Sequence, residues 1–253
     1  MSGEMSVSDM TAVELYGASR ESRGTAKVKW QRYAYLALLL VALTLVWQAI
    51  AMLQAGIASQ RAERYLQHSQ KLDPSLSEQA RQKAYEATRR AVERYPVANG
   101  EYLDRLGRVI AMQAEAVNAK AFSKTALEES RDVFRASLAE RSLWPWTWLR
   151  LAHSKVLLGE FDEELDMALK RANELGRGHA DIDRDLARLG FFAWADLSTS
   201  QRRLTLAAAG RAAGHSRQDA ELVYGIAKQT GRSVPFCWSL EPALKTQQRI
   251  CKE

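Results

Sequence analysis

Two hydrophobic patterns divide the chain. From Tyr33 to Leu53 the sequence YAYLALLLVALTLVWQAIAML runs for 21 residues without a charged side chain. At the rise of an α-helix this run is about 30 Å long, which matches the hydrocarbon core of a membrane. Beyond it, apolar residues recur at helical spacing, and no stretch alternates long enough to predict a strand. The pattern therefore predicts an all-α chain with a single N-terminal transmembrane helix.

Charges on the two sides of the apolar run predict its orientation. Residues 20–32 hold five basic side chains, whereas only Arg61 and Arg64 follow closely on the other side. Because basic flanks stay in the cytoplasm, we expect a single-pass membrane protein with a cytoplasmic N-terminus and with residues 54–253 on the opposite side of the membrane. The alternative is a signal peptide cleaved near Ala49. The long head before the run favours an uncleaved anchor, since signal peptides have short heads.

Composition shifts along the chain predict five segments. The first is rich in Ser, Gly and Thr, and helical spacing resumes after the apolar run. The segments are a flexible cytoplasmic tail (1–32), the transmembrane helix (33–53), a helical linker (54–74), a tetratricopeptide-like helical domain (75–230) and a C-terminal basic tail with a cysteine pair (231–253).

Turn residues delimit eight predicted helices in the helical domain. Asp73 and Pro74 suit the start of the first helix, because Asp caps a helix and Pro fits its first turn. Pro96 ends that helix, since the residue before a proline avoids the helical conformation. The predicted ranges are 75–95, 101–121, 126–138, 148–158, 161–175, 182–197, 201–211 and 218–230.

Small and bulky residues recur within these helices as they do in tetratricopeptide repeats. The best unit is WTWLRLAHSKVLLGEFDEELDMALKRANEL, in which a glycine-containing turn joins two helices and Trp148 would fill the groove between neighbouring pairs. About three helix pairs are predicted, and a plain helical bundle that buries the same faces is the alternative. The repeat positions are Leu106, Gly107, Trp148, Leu151, Ala152, Gly159, Phe161 and Ala168.

Composition agrees with a folded helical protein and excludes several kinds of site. The chain is 47% hydrophobic and 26% charged, and its 5 Pro and 14 Gly are too few turn residues for a β-sandwich. It lacks the glycine-rich nucleotide motifs, the zinc-protease motif and the nucleophile elbow of hydrolases. We therefore expect no catalytic, cofactor-binding or metal-ligating residues.

Two acidic groupings resemble sites but fit ordinary helix ends better. The acids from Glu160 to Asp166 open a helix, where they suit the helix dipole and solvent rather than glycoside cleavage. His179, Asp181 and Asp183 alternate in a loop but lack a fourth metal ligand. A polar loop is therefore the better interpretation of these three residues.

Charge and tryptophan indicate a candidate binding surface. The net charge is +6, and residues 197–253 hold nine basic against four acidic side chains. No basic-aromatic motif of a nucleic-acid module occurs, so the expected partner is a membrane surface, an acidic protein or an anionic glycan. The tryptophans would alternatively pack inside a junction of helix pairs. The candidate residues are Trp144, Trp146, Arg202, Arg203, Arg211 and Arg217.

The only two cysteines of the chain, Cys237 and Cys251, lie 14 residues apart in the segment expected outside the cytoplasm. In an oxidising compartment such a pair predicts a disulfide. Two independent thiols are the alternative.

Two stretches carry a resemblance to known families. WPWTWLRLAHSKVLLGEFDEELDMALKRANELG, followed by LARLGFFAWADLSTSQRR, resembles the VpsP-type proteins of bacterial exopolysaccharide gene clusters. AVERYPVANGEYLDRLGRVIA is similar to the C-terminal repeat part of O-antigen ligase-like membrane proteins. The resemblance covers roughly residues 30–253 and brings no catalytic residues with it.

The resemblance implies an accessory role in exopolysaccharide biosynthesis, polymerisation or export, and so in biofilm matrix. On this basis we expect a non-enzymatic scaffold that is anchored in the bacterial inner membrane, with its main domain in the periplasm. It would bind proteins of a polysaccharide assembly complex. A periplasmic chaperone or envelope assembly factor with the same repeats is the alternative. An enzyme acting on the glycan would need paired carboxylates in a cleft, of which the sequence gives no sign.

Overall fold

The computed structural model describes residues 7–69, 78–116 and 123–251, and these contain eleven α-helices and no strand. The helices are α1 (Val7–Ser69), α2 (Glu78–Arg94), α3 (Gly100–Ala116), α4 (Lys124–Glu140), α5 (Pro145–Leu158), α6 (Glu163–Leu175), α7 (Ala180–Phe192), α8 (Thr199–His215), α9 (Arg217–Gln229), α10 (Ser233–Ser239) and α11 (Pro242–Gln248).

The N-terminal unit, Met1–Leu53, contains the first part of α1. Within α1, Trp30–Arg64 is long and apolar enough to cross a membrane, and its large apolar side chains are exposed up to Leu53. Of the segment predicted as a flexible tail (1–32), residues 7–32 are helical, and residues 1–6 lie outside the described part of the chain. The physical reason is that no proline precedes Pro74, so nothing interrupts the helix before the apolar run.

The second unit begins at Gln54 and includes the end of α1, which the sequence analysis treats as a linker. This end is helical as predicted, but it buries a stripe of side chains spaced four, three and four residues apart: Ala55, Ser59, Ala62 and Leu66. Arg105 of α3 forms an ion pair with Glu63 at 3.1 Å. The segment is therefore part of the folded unit, because its small residues let neighbouring helices approach closely.

Successive helices of the second unit form an array. From α2 to α10 each helix packs against the next, and α5, α6 and α7 also pack against the helix two positions further on. This is the neighbour-to-neighbour packing of repeat proteins. The predicted all-α fold, with a membrane-length N-terminal helix and a following array of helix pairs, is confirmed.

The repeat positions lie mostly in the core of this array. Leu106, Leu151, Ala152 and Ala168 are buried. Gly159 ends α5 with a φ of +74°, in the left-handed region that favours glycine. The exceptions are two aromatic rings: Trp148 is only half-buried against the core, and Phe161 is 38% exposed.

The C-terminal segment, predicted as a basic tail, contains α10 and α11 and packs on the array. Phe236, Leu240 and Ile250 are buried against α8 and α9. A disulfide joins Cys237 to Cys251, whose Cα atoms lie 5.7 Å apart. The last described turn of the chain is thereby tied to α10.

We expect Gly107→Ala to lower the free energy of unfolding by about 1–3 kcal/mol, because the added methyl would lie 2.6 Å from the buried ring of Phe134. In the control, Gly225→Ala, the methyl meets nothing within 4 Å. The control should gain about 0.5–1 kcal/mol from the higher helix propensity of alanine. Denaturant unfolding of the full chain in detergent micelles measures both, and equal effects would contradict the close packing of α3 on α4.

Candidate functional site

The second unit contains a cavity of about 650 Å³ between the end of α1 and helices α3, α4, α5 and α7. We call it the arginine groove. Its apolar walls include Met112, Phe134, Leu149, Val156, Leu157 and Phe192. Its volume lies within the range of ordinary ligand sites.

Helix α7 shows how the sequence builds the groove. Asp185, Arg188, Leu189 and Phe192 lie at i, i+3, i+4 and i+7, so they share one face of the helix, and all four line the groove. Leu189 is buried, whereas Phe192 is 65% exposed. One helix face therefore supplies an apolar wall and charged groups together.

Two further arginines line the groove, and both are partly held by acids. Nη1 of Arg150 lies 2.7 Å from each carboxylate oxygen of the buried Asp104. Nη1 of Arg108 donates to Glu63 at 3.2 Å. Burial, reinforced by the nearby positive charge of Arg150, lowers the pKa of Arg108. The wall thus holds two neighbouring guanidinium groups, each with one carboxylate partner.

Asp185 and Arg188 face the groove without a hydrogen bond or ion pair to other described residues. Asp185 is exposed, but partial desolvation against the concave wall raises the pKa of its carboxyl, and the charges of Arg188 and Arg184 act against this shift. Asp185 is the only carboxylate among the described residues that line the groove. The lining therefore carries three arginines against one acid.

The sequence analysis missed Arg108, Arg150, Asp185 and Arg188. Each is a charged residue within a helix, and charged residues of helices usually lie on the exposed surface. The signal that would have found them is a charged side chain at the i, i+3, i+4 spacing of the core face.

The predicted tryptophan surface is partly used within the fold. The indole N–H of Trp146 donates to Asp181 at 2.8 Å, and the ring packs edge-on to His179. Trp148 donates to the Ser142 carbonyl at 2.7 Å. These two tryptophans hold the start of α5, and Trp146 also lines the groove.

Trp144 is the most exposed of the three tryptophans, at 40%. The guanidinium of Arg141 lies 4.3 Å from the centre of its ring, and the ring of Trp146 lies 5.1 Å away. These contacts already occupy much of the aromatic surface that a sugar would need for stacking.

The four candidate arginines do not form one free basic surface. Arg202 donates to the Trp194 and Ala195 carbonyls in the turn that follows α7, at 2.9 and 3.0 Å. Arg211 binds the buried Asp183 at 2.6 Å and also Asn173. The other two are exposed: Arg217 pairs with Glu221 on its own helix, and Arg203 makes no ion pair with described residues. A count of basic residues overestimated the surface because internal acids and carbonyls use two of them.

The acidic cluster at the start of α6 surrounds a buried lysine. The side chain of Lys155 is 0% exposed, and its Nζ contacts Glu160, Asp162 and Glu164 at 3.0, 2.8 and 2.7 Å. Burial lowers the pKa of this ammonium, but the three carboxylates outweigh burial and raise it above its ordinary value. The acids are therefore a structural counter-ion shell rather than only a solvated helix start.

Two arginines of α4 bind the same acids. Arg135 contacts both oxygens of Glu164, at 2.7 and 2.6 Å, and Arg131 pairs with Glu160. The hydrogen bonds from Arg135, opposed by partial burial and reinforced by Lys155, lower the pKa of Glu164 to about 2. This ion network, Lys155 with its acids and these two arginines, joins α4, α5 and α6.

No metal-binding cluster is present among the residues that the structure describes. The residues that resemble a metal site do not form the expected loop, because Asp181 and Asp183 lie in the first turn of α7. There Asp181 accepts a hydrogen bond from Trp146, and Asp183 accepts one from Arg211. Both carboxylates thus have partners of their own. His179 precedes α7 and makes no capping hydrogen bond.

Comparison with known proteins adds no family to these observations. No protein-family model matches the chain, and no curated protein matches it.

The ion network predicts an acid-dependent loss of stability. Because the folded pKa of Glu164 is below its ordinary value of 4.5, its contribution is present above pH 4.5 and is lost as the pH falls towards 2. Glu164→Gln should lower the free energy of unfolding at neutral pH by about 1.5–3 kcal/mol and flatten its pH dependence in this window.

The matched control is Glu163→Gln, which changes the adjacent, exposed acid that makes no ion pair with described residues. It should leave both the stability and its pH dependence near those of the unmodified chain. Denaturant unfolding at several pH values measures these effects, and indistinguishable pH profiles for the two variants would contradict the network.

Proposed function

We propose that the chain is a non-enzymatic adaptor of the bacterial inner membrane that serves exopolysaccharide biosynthesis, polymerisation or export. In this proposal the apolar part of α1 is the anchor, the N-terminus is cytoplasmic and the helical array lies in the periplasm. The array binds another protein of the polysaccharide assembly complex through the arginine groove.

The observation that carries the binding role is the groove itself. Its apolar walls and charged groups come from several helices of one array, and such arrays present extended concave surfaces to peptides or helices of partners. Anchoring by α1 would raise the local concentration of the array near membrane-bound partners.

Three further observations support the location and the lack of catalysis. The disulfide between Cys237 and Cys251 suits an oxidising compartment, and the basic flank before the apolar run favours a cytoplasmic N-terminus. Asp185 has no second carboxylate beside it among the groove-lining residues, whereas glycoside hydrolysis uses a pair. The polysaccharide context itself rests on the resemblance to VpsP-type proteins.

Deleting the gene should reduce exopolysaccharide in the biofilm matrix, while the purified full chain in detergent leaves polysaccharide length unchanged over time. Matrix staining and size-exclusion chromatography of the polymer measure the two parts. Time-dependent shortening of the polymer by the purified chain would contradict the adaptor role. Normal matrix with impaired assembly of envelope proteins would support the chaperone alternative instead.

A further inference from the structure

We propose that the ligand of the arginine groove is an acidic, amphipathic segment of a partner protein, with carboxylates against the arginines and apolar side chains against the groove walls. This inference rests on the proposed function only in taking the groove as the binding surface.

The first argument is the arrangement of positive charge in the groove. Arg108, Arg150 and Arg188 reach it from α3, α5 and α7, and Asp185 is the one acid in the lining. Glu63 and Asp104 each bind one nitrogen of Arg108 and Arg150 from outside the lining, so the positive charge is only partly compensated. A guanidinium binds a carboxylate through paired N–H donors, which makes arginine suited to this recognition. The lining charge therefore favours an anionic ligand.

The second argument is that these arginines retain unused donors. Arg150 uses Nη1 for Asp104, and Arg108 uses Nη1 for Glu63, so the remaining N–H groups of both have no partner among the described residues. The side chain of Arg188 makes no hydrogen bond to any described residue. A ligand carboxylate near Arg108 and Arg150 would also offset the repulsion between these two charges, which lie in a partly buried wall.

The third argument distinguishes a peptide from a polysaccharide. Most of the lining is apolar, and it includes Met112, Leu157 and the 65%-exposed ring of Phe192. Sugar hydroxyls placed against such walls would lose hydrogen bonds to water without replacement. Leucine-like or aromatic side chains would instead gain from the burial. A peptide that combines carboxylates with apolar residues fits both parts of the lining.

The test is a selection of short random displayed peptides on the full chain in lipid nanodiscs, with empty nanodiscs as background. Enriched peptides should combine Asp or Glu with Leu, Ile or Phe. Their affinity should fall about tenfold for Arg188→Glu, because the substitution places a negative charge against the ligand carboxylates. Phe192→Ser should weaken binding several-fold, because it removes an apolar contact.

Two substitutions away from the groove are the controls. Arg203→Glu makes the same charge change at an exposed position of α8. Leu222→Ser removes a partly exposed apolar side chain of α9. Both should bind the selected peptides like the unmodified chain. Circular dichroism checks that all four variants are folded. Because Arg188 and Phe192 are exposed, we expect their substitution to cause no loss of helix.

The proposal is overturned if no peptide is enriched over empty nanodiscs, if the enriched peptides are neutral or basic, or if the groove and control variants bind alike. Polygalacturonate that binds the chain and is lost with Arg188→Glu, without any enriched peptide, would assign the groove to an anionic polysaccharide instead. The selection does not depend on the matrix of the cell. Normal matrix after gene deletion would therefore reject the polysaccharide role and leave the ligand assignment standing.

Discussion

The ammonium group of Lys155 is fully enclosed by protein, and this buried charge constrains the rest of the array. A buried ammonium is tolerated only with close counter-ions, which Glu160, Asp162 and Glu164 provide from the turn into α6. Their excess negative charge is in turn bound by the α4 arginines. The relative placement of α4, α5 and α6 is thereby specified by charge as well as by apolar packing.

The arginine groove depends on this placement. Phe134 of α4 and Leu149, Val156 and Leu157 of α5 form part of its wall, and Lys155 immediately precedes Val156 in the sequence. Gly107 permits α3 to approach Phe134 closely enough to bring Arg108 to the same cavity. The packing of these helices against one another therefore creates the groove. An adaptor needs this property, because a preformed site binds with less loss of conformational freedom.

Sequence periodicity was sufficient for the helices and insufficient for the site. The apolar spacing and the turn residues predict the elements from α2 to α9 to within about five residues, because helices bury one face and end at Gly, Pro or Ser. The predicted helix ends at residues 75–77 and 117–121 lie outside the described residues. The burial of Lys155 was not predicted, because a lysine side chain in a helix ordinarily points to solvent. The stripe from Ala55 to Leu66 resembled a linker because its small residues carry little hydrophobic signal. Arg202 and Arg211 were assigned to the surface by composition alone, although Arg211 binds the buried Asp183 and Arg202 binds two backbone carbonyls.

The claim that the groove is the working surface of a membrane-anchored adaptor is tested most directly by complementation in a strain that lacks the gene. The full chain carrying Arg188→Glu is compared with the full chain carrying Arg203→Glu, at equal abundance in the membrane fraction. The account predicts that Arg203→Glu restores the exopolysaccharide matrix and that Arg188→Glu does not. Equal restoration by both variants would contradict it.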